Sequence, residues 1–158
     1  MKYLPYDPGP LPTKPPPKAG DLIELEITGY PPYKDESFSI RNPKHKHYSR
    51  FMKLRNAGIA AMDGRAWSYA PIRMDLTLYA PAFERKRTLL DYIAGVEDTL
   101  DGSSGFTFTY LPIVFEDDCQ ICSWSSRLIK SNKTKYALRV RIMKEPQQNT
   151  PVDPESRL

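Results

Sequence analysis

Cysteine and histidine are scarce in this chain, which has two of each among its 158 residues. Cys119 and Cys122 have CxxC spacing, but no second Cys or Cys/His pair lies nearby to complete a tetrahedral zinc site. His45 and His47 lie far away in the sequence, inside a basic stretch. These absences disfavour a zinc site and a redox-active pair, so we expect reduced cysteines in a cytosolic protein.

Long apolar runs are also missing, since none approaches the roughly 20 residues that a bilayer-spanning helix needs. The first ten residues, MKYLPYDPGP, contain no apolar core of the kind that a secretory signal requires. We therefore expect a soluble, cytoplasmic protein without a membrane partner. The sequence leaves open whether the gene belongs to a phage or to a cell.

Neither sign of charge dominates, because 23 Lys and Arg residues face 19 Asp and Glu residues, for a net charge of +4. Such an excess helps a protein to stay near phosphate but does not establish that it does so. The placement of the cations is therefore more informative than their sum. A length of 158 residues suits one ordinary domain.

Proline marks both ends of the chain. Residues 1–20 hold seven of the sixteen prolines, and the polar segment 145–158 holds three more. Because proline cannot donate a hydrogen bond to a helix or a sheet, we predict a disordered N-terminal arm over 1–20. We likewise predict a disordered tail over 145–158, which leaves a single domain at residues 21–144.

Hydrophobic periodicity predicts an α+β domain, in which a small mixed β-sheet packs against two main helices. The second helix is expected to begin after a Thr88 cap and to close at Gly102. Its predicted apolar stripe consists of Leu89, Ile93, Val96 and Leu100. The predicted order is strand 22–27, helix 48–62, strand 72–78, helix 88–102, strand 120–129 and strand 136–143.

Three consecutive acids, Glu116, Asp117 and Asp118, precede the strand predicted at 120–129. Like charges that are held together repel each other. A divalent cation would relieve the repulsion, and Mg²⁺ takes Asp and Glu oxygens as ligands. The alternative is a solvated acidic turn, and this segment taken alone favours that alternative.

A second charged cluster surrounds the start of the second helix. The basic residues Arg85, Lys86 and Arg87 stand just ahead of it. A helix N-terminus adds partial positive charge and free N–H groups, so a phosphate could be held there. Asp91 and Asp98 fall on roughly one face of the helix, about 10 Å apart, which is adequate for flanking a site. An exposed helix whose charges meet only water is an equally good interpretation.

Residues 34–55 carry seven Lys or Arg residues, interleaved with several aromatic side chains. Basic groups can contact phosphates, and aromatic rings can stack on the unpaired bases of a branch point. A solvated basic loop beside a helix is the alternative. The candidate DNA contacts in the chain are Arg41, Lys44, Lys46, Arg85, Lys86 and Arg87.

The order of these features resembles that of the RusA-like endodeoxyribonucleases. Gly29-Tyr30-Pro31-Pro32 is similar to the turn that ends the first strand of that family, and Arg85-Lys86-Arg87 to its basic run. Asp98-Thr99-Leu100 is similar to its helix end, Asp-Ala-Leu. Asp117-Asp118-Cys119-Gln120-Ile121 is similar to its Asp-Asp-x-Gln-Ile motif, which is the one specific element. The resemblance covers residues 22–143.

The resemblance implies a homodimeric, Mg²⁺-dependent nuclease that resolves Holliday junctions and other branched DNA by paired nicks. It implies that Asp91, Asp117 and Asp118 are catalytic, with Asp91 and Asp118 as metal ligands. The chain departs from the family at its Asp-x-Asp-Asn motif, which falls on Thr88-Leu89-Leu90-Asp91. It also departs at the family's lysine, which falls on Ala94. A one-residue slip makes Asp91 the second acid of the motif, with Leu89 in the place of the first acid and Gly95 in that of the lysine.

Three functions therefore stand as hypotheses. The first is a working RusA-like nuclease, and the second is a catalytically degenerate relative that still binds DNA. The third is a protein-interaction module, unrelated to DNA, that uses the proline-rich arm. The departures at residues 88–94 weaken the case for catalysis more than the case for the fold or for DNA binding.

Overall fold

A computed structural model of the chain describes residues 9–34, 39–101 and 110–145. The predicted α+β class, with a small mixed sheet and two helices, is confirmed, and so is the order of the elements. A short 3-10 turn, Asp118–Gln120, precedes the third strand. The elements are β1 (Leu22–Thr28), α1 (Tyr48–Met62), β2 (Ile72–Ala80), α2 (Leu89–Leu100), β3 (Ile121–Lys130) and β4 (Lys135–Ile142).

The four strands form one sheet in the order β1-β4-β2-β3. β4 pairs antiparallel with both of its neighbours, whereas β3 pairs parallel with β2. A parallel pair needs a crossover connection, and α2 supplies it. The chain therefore returns from the end of β2 to the beginning of β3, where Ile121 pairs with Ile72. This return places the acidic turn at residues 116–118 beside the beginning of β2.

Alternating apolar residues bury one face of the sheet. Leu25 pairs with Leu138, which in turn pairs with Leu76, so three buried leucines form a row across the central strands. α1 packs against β1 and α2, and α2 also contacts β3. The side chains of β1 that face solvent between the buried positions are charged, as the alternation predicts.

The buried face of α2 matches the predicted stripe only in part. Val96 and Leu100 are buried as predicted, whereas Leu89 and Ile93 are half-buried. The buried face also includes Tyr92, Gly95 and Thr99. The cause is the Pro31–Pro32 turn, whose backbone crosses α2 at Gly95. A Cβ atom at position 95 would collide with the carbonyl oxygen of Pro32, so glycine permits this close approach.

The proline-rich segment is attached to the domain where the structure describes it. The N–H groups of Thr13 and Lys14 donate to Gly64 O at 2.9 and 3.0 Å, and Gly20 N–H donates to Ile142 O at 2.7 Å. Pro17 is buried. Residues 9–20 thus differ from the predicted disordered arm, because residues between the prolines still pair with the loop after α1. The rest of the predicted arm and tail, 1–8 and 146–158, lies outside the described residues.

The beginning of α2 and the end of α1 follow the sequence signals, whereas Gly102, the residue predicted to close α2, lies outside the described residues. Thr88 caps α2 as predicted. α1 closes at Asp63, a left-handed residue with φ of 51°, and Gly64 follows with φ of 80°. Within the described ranges, no helix is long and apolar enough to cross a membrane.

Candidate functional site

Gln120 clamps the acidic turn to the segment that leads into β2. Its Nε2 donates to the carbonyl oxygens of Ser68 and Ala70 at 2.8 and 2.9 Å. Its Oε1 accepts from the N–H groups of Glu116 and Asp117 at 2.9 and 3.0 Å. One side chain thus satisfies four backbone groups, which accounts physically for a glutamine at this place in the Asp-Asp-x-Gln-Ile motif.

Asp117 and Asp118 lie side by side on the exposed surface of this turn. The Asp117 carboxylate accepts a hydrogen bond from Cys119 N–H at 2.9 Å, and that bond holds the pKa of Asp117 below its ordinary value. The pKa of Asp118 is raised, first by its hydrogen bond with Asp117 and then by partial burial. The charges of Asp117 and Asp98 raise it further.

Asp98 and Glu97, in the second half of α2, interact electrostatically with Asp118. Burial raises the pKa of Asp98, although the charge of Lys34 opposes the rise. Burial also raises the pKa of Glu97, whose carboxylate accepts a hydrogen bond from Trp124 Nε1 at 2.8 Å. Because Asp118 and Asp98 each raise the pKa of Glu97 through their charges, the three carboxylates form one acidic group. We call Glu97, Asp98 and Asp118 the acidic group.

Asp91 has a different place, at the beginning of α2. Its carboxylate accepts from Thr88 N–H at 2.9 Å, and its carbonyl oxygen accepts from Lys34 N–H at 3.2 Å. Asp91 and Asp98 are seven residues apart, which corresponds to about 10 Å along a helix. The predicted metal ligands Asp91 and Asp118 are therefore held by different parts of the molecule, and the α2 acid that perturbs Asp118 is Asp98.

The carboxylates of the acidic group are the candidate ligands for a metal ion. In the ranges that the structure describes, no three His, Cys, Asp or Glu residues converge as a metal-binding group. Mg²⁺ is, however, commonly bound through one or two carboxylates, with substrate phosphates completing its shell. Asp98 and Asp118 fit that donor set, since both are oxygen ligands whose mutual repulsion a cation would relieve. Cys119 and Cys122 are free and exposed.

A cluster of cations and aromatic rings surrounds Tyr33, the residue that precedes Lys34 in the chain. The guanidinium carbon of Arg87 stands 3.8 Å from the centroid of the buried Tyr33 ring, and that of Arg50 stands 5.7 Å from it. Arg50 pairs with Glu84 through two contacts of 2.6 and 3.0 Å. Tyr92 OH donates to Glu84 at 3.0 Å. We call Tyr33, Arg50, Glu84, Arg87 and Tyr92 the Tyr33 cluster.

The six predicted DNA contacts separate into exposed and buried groups. Lys44, Lys46, Arg85 and Lys86 are exposed, and Arg87 is half-buried against Tyr33. Arg41 is different, because its side chain is only 7% exposed. Its guanidinium donates to Asp101 Oδ1 at 2.9 Å and, through Nε, to Asp98 O at 3.0 Å. The assignment of Arg41 to DNA is therefore corrected: this cation binds the C-terminal end of α2, where carbonyl oxygens favour positive charge.

Several site residues carry no distinct signal in the sequence. Lys34 is one of many cations in a basic stretch, yet its charge acts on Asp98 and Asp118. The partnership of Trp124 with Glu97 joins residues 27 positions apart, which no local pattern reveals. The sequence does carry a signal for the close packing of Pro32 against α2. An isolated glycine inside a helix, here Gly95, often marks a packing requirement.

Comparison with known proteins adds no assignment. No family model matches the chain, and no curated protein matches it at a significant level. The likeness to RusA-like nucleases therefore rests on the motifs and their order.

Proposed function

We propose that the chain is a RusA-like endonuclease that binds branched DNA, including Holliday junctions, and cuts it in a Mg²⁺-dependent reaction. The observation that carries the proposal is the Asp-Asp-x-Gln-Ile turn, which Gln120 holds beside the start of β2 with Asp118 exposed on it. The charges of Asp98 and Lys34 both act on Asp118. A homodimer and a cytoplasmic location belong to the same proposal. A two-fold dimer has two equivalent sites, which suits the equivalent strands of a junction.

In this proposal Asp98 takes the part that the resemblance gave to Asp91. Asp98 and Asp118 would hold Mg²⁺ together with phosphate oxygens of the DNA. The ion would polarise the phosphate and activate water. Asp117, whose carboxylate is held by Cys119 N–H, would add a second negative charge beside Asp118. Lys34, which is exposed, would stabilise negative charge on the phosphate, as the lysine missing at position 94 would in the family.

The exposed cations would bind the DNA strands that flank the acidic group, and the buried Tyr33 ring would support Arg87 beside them. Tyr33 and Lys34 are adjacent in the chain, so their Cα atoms are only about 3.8 Å apart. Lys34, whose charge acts on Asp98 and Asp118, therefore connects the Tyr33 cluster to the acidic group along the chain. Lys44, Lys46, Arg85 and Lys86 would add phosphate contacts, which release counterions and make binding salt-dependent.

The test is cleavage of a synthetic four-way junction, with a linear duplex of the same sequence as a control substrate. We expect paired nicks with Mg²⁺ or Mn²⁺, and a loss of about 10²-fold or more in rate on Asp118→Asn. Asp63→Asn is the matched control, because Asp63 is an exposed acid on another loop. No cleavage by the folded wild-type dimer with either metal would overturn the proposal.

A second candidate is a RusA-like protein that binds junctions without cutting them. Two observations favour it: Asp91 is engaged in a helix cap, and no three-residue metal group forms in the described part of the chain. It predicts junction binding that weakens strongly between about 50 and 200 mM salt, with no nicks. Nicks that require Asp118 would contradict it. The third hypothesis, an interaction module on the proline-rich arm, gains no support from residues 9–20, whose backbone pairs with the domain.

A further inference from the structure

A pocket separate from the acidic group lies between the end of β1 and the first turns of α1. Its volume is about 300 Å³, which is at the lower end of the range for small-molecule sites. The polar residues of its wall are Thr28, Ser49, Arg50, Lys53, Tyr30 and Tyr136. The wall, whose residues all belong to the described part of the chain, contains no Asp or Glu.

Tyr136 brings a buried hydroxyl to this pocket. The side chain is 1% exposed, and its hydroxyl has no hydrogen-bond partner among the described residues. Buried polar groups are nearly always paired, because an unpaired one loses its bonds to water without replacement. An unpaired hydroxyl in a pocket wall is therefore an unused donor for a bound oxygen atom.

The cations of the pocket come from one face of α1. Arg50 and Lys53 are three residues apart, which makes them neighbours on the helix surface. Glu84 neutralises Arg50. Lys53 Nζ instead donates to a neutral group of the wall, the Thr28 carbonyl oxygen, at 3.1 Å. Ser49 stands in the first turn of α1, where the helix adds partial positive charge.

We propose that this pocket binds a phosphate group, held by the Lys53 ammonium and the Tyr136 hydroxyl at the start of α1. The hydroxyl donates to one phosphate oxygen. Lys53 releases the Thr28 carbonyl oxygen and donates to a second phosphate oxygen. The hydrogen bond becomes stronger, because its acceptor is now charged. The site needs neither Mg²⁺ nor the acidic group, so it stands apart from the cleavage proposed above.

The experiment is a titration of the full chain with inorganic phosphate at constant ionic strength, followed by the amide NMR signals of Gly29 and Ser49. We expect saturable shifts and a rise in Tm with phosphate. Lys53→Met should weaken phosphate about tenfold, the loss of one charge-assisted bond. Lys144→Met, at the opposite end of β4, is the matched control and should leave the affinity unchanged.

Tyr136→Phe distinguishes a binding role from a structural one. It should weaken phosphate about tenfold. Without phosphate it should be at least as stable as the wild type, because it removes an unpaired buried hydroxyl. The proposal is overturned if neither Gly29 nor Ser49 shifts saturably, or if Lys53→Met and Tyr136→Phe bind phosphate as the wild type does.

The source of the phosphate is identified by competition with two single-stranded oligonucleotides of one sequence, with a 5′-phosphate or a 5′-hydroxyl. If both oligonucleotides compete, the proposal is supported with a phosphodiester as the ligand. If only the 5′-phosphate oligonucleotide competes, the proposal is supported with a terminal phosphate as the ligand. If neither competes while inorganic phosphate binds, the pocket is supported as a site for free phosphate or a small ester. None of these outcomes depends on junction cleavage.

Discussion

The Asp91 carboxylate accepts a hydrogen bond from the backbone N–H of Thr88 at 2.9 Å, and Asp91 N–H donates in return to Thr88 Oγ1 at 3.4 Å. This reciprocal pair is a capping box, which satisfies donors that the first turn of a helix leaves unpaired. The acid that the family resemblance marks as a metal ligand is thus engaged at the end of α2. The acid of α2 that acts on Asp118 is Asp98.

Asp91→Ala should lower the free energy of unfolding by about 1 kcal/mol, the usual loss for a broken helix cap. Thr88→Ala should cost a similar amount. Because the two side chains share one capping box, the double variant should lose less than the sum of the single losses. Urea denaturation of the four proteins measures this coupling. Fully additive losses would contradict a reciprocal pair.

Gln120→Leu should lower the free energy of unfolding by about 2 kcal/mol, because four backbone groups lose their partner. It should also abolish Mg²⁺-dependent cleavage of the junction, since Asp117 and Asp118 are no longer held in place. Glu116→Gln, an exposed change in the same turn, is the control and should stay within about 0.5 kcal/mol. Equal stabilities for the two variants in urea would refute the clamp.

Arg41→Ala should lower the free energy of unfolding by about 3 kcal/mol or more, because it leaves the buried Asp101 carboxylate without this cation. Lys44→Ala should change stability by less than about 0.5 kcal/mol, since Lys44 is exposed. Junction binding should show the opposite pattern, with a shallower salt dependence for Lys44→Ala. An Arg41→Ala protein of wild-type stability would return Arg41 to the candidate DNA contacts.

Asp98→Asn should change how stability depends on pH. Burial raises the pKa of Asp98, so the folded state binds that proton more tightly than the unfolded chain does. Ionisation of Asp98 therefore costs stability as the pH rises from the unfolded pKa of about 3.9 through the raised folded value. The asparagine variant avoids this cost, so its stability relative to the wild type should be more favourable at about pH 7 than at about pH 4.

Glu84→Gln provides the comparison of opposite sign. Burial alone would raise the pKa of Glu84, but the hydrogen bonds from Arg50 and Tyr92 outweigh it and leave the pKa lowered. Its ionised form therefore stabilises the fold above the unfolded pKa, and that contribution disappears as the pH falls through the folded value. Glu84→Gln should be more destabilising at about pH 7 than at about pH 4. Chemical denaturation at the two pH values tests both acids, and shifts of the same sign would contradict the assignments.

Local patterns were sufficient to predict the order of the elements. The alternation in β2 and the stop at Asp63-Gly64 are carried by neighbouring residues, so strand and helix could be read from short windows. The Thr88 cap was visible for the same reason. The mixed sheet was also expected, because a β-α-β order favours a crossover between parallel strands.

Long-range packing determined what the sequence could not show. The buried face of α2 is set by Pro32, which crosses the helix at Gly95, more than sixty positions later in the chain. Arg41 is buried because the basic loop folds onto the end of α2, at Asp101. The electrostatic interaction of Asp118 with Asp98 depends on the α2 crossover, which returns the chain to the start of β2.

Cleavage of a four-way junction by Asp98→Asn and Asp91→Asn, compared under one set of Mg²⁺ conditions, tests the central claim most directly. The account predicts that Asp98→Asn loses about 10²-fold or more in rate, as Asp118→Asn does. Asp91→Asn should cut at close to the wild-type rate, because the Asp91 side chain caps α2 and asparagine can still accept that hydrogen bond. The reverse result, with cleavage lost on Asp91→Asn and retained on Asp98→Asn, would contradict it.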